Sequence, residues 1–187
     1  MNSYKLMELA FAQPEALAQL AHHAEWPVRY AAAVAMGQTQ DRRWLPHLKA
    51  MLHRENSRPL YSQPPAHFVN SSDDTRMAEQ IGPIAAIFEQ EVDAETQAAW
   101  RCRGRVKQAI LFALYAIGEG DAELCAILQR YLEDPKEDYP VKAAAGRALG
   151  AIGNHTSIPA LQTAQHFDEW CTQMEATKAI HRIREGS

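Results

Sequence analysis

A chain of 187 residues, 47% of them hydrophobic, is long enough to bury one continuous core and too apolar on average to be disordered. Its 19 Lys and Arg against 23 Asp and Glu leave a net charge of −4 with both signs interspersed, which argues against wrapping duplex nucleic acid or lying on an anionic membrane. No apolar run reaches the length of a membrane span, and the first residues (MNSYKLMELAFAQPEAL) carry Glu8 inside a short apolar run without a signal-peptide pattern, so the expected compartment is the cytoplasm. Cys102, Cys125 and Cys171 are odd in number and far apart, which suits free thiols in a reducing compartment.

In chain order, residues 3 to 12 read as an opening helix that caps the apolar face of the first repeat, and Pro14 starts a helix with Leu17 and Leu20 on its apolar side. Trp26-Pro27 turns the chain into a second helical stretch, WPVRYAAAVAMGQTQ, with proline just inside its start. Asp41 is placed to cap the next helix, whose Leu45, Leu48, Met51 and Leu52 form its inward stripe. After His53 the pattern stops, and residues 55 to 100 read as an insertion in the turn inside the second repeat. Its first half holds Pro59, Pro64 and Pro65 among turn formers and predicts an irregular loop, mobile over 57 to 72. Its second half, 74 to 100, reads as helical with breaks near Gly82-Pro83 and Asp93. From Arg105 the regular pattern resumes, through RVKQAILFALYAIGE, a helix with Leu124, Ile127, Leu128 and Leu132, the stretch YPVKAAAGRALGAIGN, a helix with Ile158 and Leu161, and TQMEATKAIHRIR.

The four second stretches register on one another without a gap. With Val28, Val106, Val141 and Thr172 aligned, Ala32, Ile110, Ala145 and Ala176 coincide, then Ala35, Ala113, Ala148 and Ala179, then Thr39, Ile117, Ile152 and Ile183. These steps of four, three and four trace one helical face, and its alanines let neighbouring helices approach closely. Each stretch comes after another apolar-periodic helix, so the unit is a helix pair, recurring after 35 residues from Val106 to Val141. Asp134-Pro135 in the turn, Val141-Lys142 opening the second helix, and the series Ala145, Ala148, Leu149, Gly150, Ile152, Gly153 resemble the HEAT family, especially the HEAT-like repeats of phycobilisome lyases. The resemblance covers about residues 14 to 185 apart from the insertion. It implies an all-α right-handed solenoid of about four helix pairs forming a single domain, 1 to 187. Scaffolds, inhibitors and a few enzymes share such repeats, so function must come from the surface.

Eight histidines invite a metal, but none lies in HExxH and no His-Glu dipeptide occurs, so the paired ligands of deoxyhypusine hydroxylase, an iron enzyme with similar repeats, are absent. No cysteine pair has ligand spacing, and no cofactor or metal is expected. The alkylpurine DNA glycosylases, also repeat-built, need a basic face with tryptophans; this chain is acidic, and Trp26, Trp44, Trp100 and Trp170 read as packing residues at repeat junctions. Arg29, Lys107 and Lys142 recur at one register and read as a structural ion-pair ladder, with Glu25, Asp134 and Asp138 as their acids. Opposite the alanine stripe lie Tyr30, Ala33, Val34 and Gly37; Gln108, Leu111, Phe112 and Tyr115; Ala143, Gly146, Arg147 and Gly150; Met174, Thr177, Lys178 and His181. That face is expected to line the concave side, and Leu111, Phe112 and Tyr115 make its second copy anomalously apolar. The insertion is expected to cover them at least in part, through Ile84, Ile87 and Phe88; the alternative is that a partner does. The expected function is non-catalytic binding of a protein partner, as scaffold, adaptor or inhibitor, through Tyr30, Val34, Gln108, Leu111, Phe112, Tyr115, Arg147, Lys178 and His181. The alternative, by family association, is a small enzyme of the bilin-lyase kind.

Overall fold

The computed structural model describes residues 14–57 and 104–186. Both segments belong to one compact unit of the chain, and residues 59–103 belong to a second, outside the described residues. The described residues form eight α-helices: α1 (Pro14–Leu20), α2 (Trp26–Gln38), α3 (Leu45–Asn56), α4 (Arg105–Ile117), α5 (Ala122–Glu133), α6 (Tyr139–Ile152), α7 (Ile158–Ala164) and α8 (Trp170–Glu185). They contain no strand. The opening helix over 3 to 12, the loop at 57 to 72 beyond Ser57, the helical stretch over 74 to 100, and the covering role of Ile84, Ile87 and Phe88 fall outside the described residues.

The helix limits reflect local chemistry. Prolines 27 and 140 occupy the first turns of α2 and α6, where a missing N–H costs nothing. The Asp121 carboxylate accepts from the Leu124 N–H at 2.9 Å to cap α5. Asp41 caps through the Arg43 N–H at 2.9 Å, but what it caps is a 3₁₀ turn, Arg42–Trp44, that feeds α3. Asn154 does the same for the 3₁₀ turn His155–Ser157 ahead of α7. Gly118 ends α4 with φ 71°, a left-handed conformation open to glycine at no steric cost. Helix α3 runs on to Asn56, so residues 55 and 56, placed in the insertion on sequence grounds, are helical.

The helices pack as an all-α solenoid. Helices α2, α4, α6 and α8 pack in series, each on the next, and α1, α3, α5 and α7 lie against them as first helices of their pairs. The pairing of α3 with α4 bridges the 48 residues, 57 to 104, that separate them in sequence. A clip between first helices reinforces this: Lys49 of α3 reaches Asp121 at 2.5 Å and Glu123 at 2.8 Å at the start of α5. Hydrogen bonding to Lys49 holds both carboxyls below their usual range.

Two of the three basic residues in the ladder, Arg29 and Lys107, form ion pairs, with different acids from those expected. Arg29 pairs with Glu55 at 2.7 Å and also donates to the carbonyls of His23 and Ala24. Lys107 pairs with Glu137 at 2.7 Å and sits 5.0 Å from the Tyr131 ring centroid. Each cation thus reaches to the end of the following first helix or the turn beyond it, so the ladder ties repeat to repeat. Lys142, equally buried, lies 4.8 Å from the Phe167 ring. Glu25, Asp134 and Asp138 were the wrong acids because Arg29 and Lys107 find their carboxylates 26 and 30 residues further along the chain, brought close by packing, and not among the residues that directly precede them.

The largest correction concerns the face opposite the alanine stripe, which is not an open surface along its whole width. Ala33, Leu111, Gly37 and Gly146 are buried, as completely as the stripe itself. A helix in the middle of a series has a neighbour on each side, so α4 and α6 bury two faces. A Cβ added to Gly37 of α2 would stand 2.6 Å from the Ala113 Cα of α4, and one added to Gly150 of α6 would stand 2.9 Å from the Ala179 Cα of α8. Glycine at this register is therefore a close-approach residue. Leu111, expected on the exposed face, is fully buried. Because Ala148 is also fully buried on the stripe of α6, Ala148→Leu is expected to lose about 1–3 kcal/mol through overpacking. An unchanged urea midpoint would remove Ala148 from a helix interface.

Candidate functional site

Once the two packing faces are subtracted, a narrower strip of the second helices stays open. On α2 it carries Tyr30, 40% exposed and edge-to-face with Trp26 at 6.5 Å, and the half-buried Val34. On α4 it carries half-buried Gln108, Phe112, 41% exposed, and half-buried Tyr115. Arg147 of α6 and Lys178 and His181 of α8 continue it. Of the nine residues expected on this face, eight have exposed or half-buried side chains, and Leu111 is the one withdrawn into the core.

The strip has one concentrated feature. The Arg147 guanidinium carbon lies 5.7 Å from the Phe112 ring centroid and 4.5 Å from that of Tyr115. From α8, the Arg182 guanidinium carbon reaches the same Tyr115 ring at 5.2 Å. Gly150 makes this reach possible: the missing side chain lets α8 approach α6, and the Cβ position of Gly150 lies 3.7 Å from the Arg182 Cδ. Interaction of the Arg147 guanidinium with the Tyr115 hydroxyl, with the Arg182 charge adding to it, holds the phenol below its usual pKa. A guanidinium carries five N–H donors, so contact with the Tyr115 ring and hydroxyl leaves others for a ligand. Elsewhere on α8, Lys178 lies 3.5 Å from Glu175 and the His181 imidazole 3.2 Å from Glu185, while Arg184 has no ion pair among the described residues. Among the described residues no carboxylate lies within ion-pair distance of Arg147 or Arg182.

Sequence reasoning missed Arg182, Tyr139 and Trp170. Tyr139 is 53% exposed and Trp170 66% exposed, both at the first residue of a second helix, the position that Trp26 holds in α2. Recurrence of an aromatic at that register was the signal to read. Trp170 therefore does not seal a junction, whereas Trp44 does, at 1% exposure. Arg182 carried no signal, because its reach to Tyr115 depends on the helix separation at Gly150. Cys125 is buried and Cys171 exposed, both free thiols. Among the described residues no group of three or more His, Cys, Asp or Glu could hold a metal ion, and no helix is long and apolar enough to cross a membrane.

The fold and this strip define a helical-repeat protein. Residues 97–184 match the family model for HEAT repeats, and residues 28–54, covering nearly all of α2 and α3, match that for the PBS lyase HEAT-like repeat. The chain is a HEAT-repeat protein. Comparison with curated proteins finds no significant match.

Proposed function

We propose that this protein is a non-catalytic scaffold, adaptor or inhibitor that binds a protein partner on the open strip of its second helices, the concave side of the solenoid. In this reading the chain is one cytoplasmic domain with the stretch from residue 57 to about residue 100 inserted in its second repeat. HEAT repeats typically serve protein interactions. The observation that carries the reading is Phe112, which stays 41% exposed in the middle of the series, flanked by Tyr115 and Arg147. A large ring left in water forgoes roughly 1.5–3 kcal/mol that contact with a partner would recover, and aromatic and Arg side chains are those most often found to dominate interface energies. The matched lyase-type repeat is a structural repeat and gives no evidence of a lyase activity.

Phe112→Ala should lower stability by much less than the about 3–5 kcal/mol of a buried phenylalanine, and should abolish fixed-stoichiometry capture of the partner that the wild-type protein retains. Retention of that partner by the variant at unchanged affinity would rule the strip out. A loss of several kcal/mol would show instead that Phe112 is a core residue.

A further inference from the structure

We infer that Tyr115, Arg147 and Arg182 form a carboxylate-recognition site for an acidic segment of the protein partner, with Phe112 receiving an adjacent apolar side chain. The inference rests on the partner-binding reading above and specifies the chemistry of the partner. Two guanidinium groups converge on one phenol ring, at 4.5 and 5.2 Å, although like charges held side by side repel. An ion-pair partner would relieve that repulsion, and the described residues supply none, while the neighbouring Lys178 and His181 each have a glutamate.

The arrangement is held rather than fortuitous. Arg147 is half-buried between the rings of Phe112 and Tyr115, and the Arg182 stem runs over the bare Gly150 backbone. Planar guanidinium edges match a carboxylate in bidentate geometry, and a fork already held against the rings loses little side-chain entropy on binding. A carboxylate is preferred to a polyanion because the chain as a whole carries −4. A duplex or a phosphate-rich surface would meet that net charge, whereas a discrete Asp or Glu beside a leucine or similar residue would not. The pairing is a rim contact, so it should depend on salt.

The test uses the full chain and a fluorescein-labelled peptide of aspartates flanking a central leucine, with asparagine and phosphoserine counterparts, measured by anisotropy at low and high salt. The aspartate peptide should bind at least tenfold more tightly than the asparagine one. The double variant Arg147→Gln, Arg182→Gln should lose that preference while keeping the wild-type thermal midpoint within about 2 °C, and Lys136→Gln, in the turn between α5 and α6, should keep it. No binding of the aspartate peptide, equal binding of the asparagine peptide, or an unaffected double variant overturns the proposal. Tighter binding of the phosphoserine peptide by tenfold or more overturns its assignment to carboxylate. If the double variant still captures the cellular partner that Phe112→Ala loses, the acidic-segment inference fails and the partner-binding reading stands. If neither change affects capture, both fail.

Discussion

Glu137→Ala is expected to destabilise the protein by about 3–5 kcal/mol, the range for removing one partner of a buried ion pair. The Glu137 side chain is 2% exposed and that of Lys107 is 7% exposed, with 2.7 Å between them, so the change strands an ammonium group in a space closed to water. The Tyr131 ring, 5.0 Å from the Lys107 nitrogen, would compensate only in part, since such contacts contribute roughly 0.5–2 kcal/mol. The double variant Lys107→Met, Glu137→Ala should recover most of the loss, because neither charge is then left without its counterpart. Urea midpoints of the two single variants and the double variant give the coupling directly. A single-variant loss under about 1 kcal/mol would mean that water reaches Lys107 and that the pair ties no repeats together.

The second large effect is a contrast between two glycines. Gly37→Ala is expected to cost about 1–3 kcal/mol, because the new methyl would stand 2.6 Å from a backbone atom, the Ala113 Cα, and the backbone cannot swing aside as a side chain would. Gly146→Ala, also in a second helix, places its methyl 3.5 Å from the nearest atom, the Ala176 nitrogen, which is ordinary contact. There the gain in helix propensity, up to about 1 kcal/mol, should dominate. The two variants should therefore move the thermal midpoint in opposite directions, by about 2–4 °C per kcal/mol in a chain of this size. If both rise, the α2–α4 contact is looser than the structure shows; if both fall, Gly146 is also a close-approach position.

These glycines mark where sequence reading and structure part. Helix-pair organisation, the register of the four second helices and the alanine stripe were legible because they rest on local chemistry repeated four times, and each copy checks the others; the proline starts of α2 and α6 and the glycine ends of α4 and α6 added local punctuation. The HEAT assignment came from the same positions. The 3₁₀ turns before α3 and α7 were not legible, since Asp41 and Asn154 cap a tighter turn as readily as a helix. The acids of the ladder were misplaced for a related reason: the nearest carboxylates in sequence are not those nearest in space when repeats stack.

The candidate site divides in the same way. Eight of its nine expected residues carry exposed or half-buried side chains, because helical periodicity alone places them opposite the stripe. Leu111 was misjudged because periodicity treats a helix as having one inner face, whereas a helix stacked between two neighbours has two, and only the stacking says which strip is left over. Arg182 was invisible because its approach to Tyr115 depends on how closely α8 packs on α6. Secondary structure, the repeat and the identity of the face are encoded locally, in residues a few positions apart. Which residues of that face meet water, which acid answers each buried cation, and which two arginines share one tyrosine were decided by interhelical separation, a quantity set by side chains from different repeats and written in no single one of them.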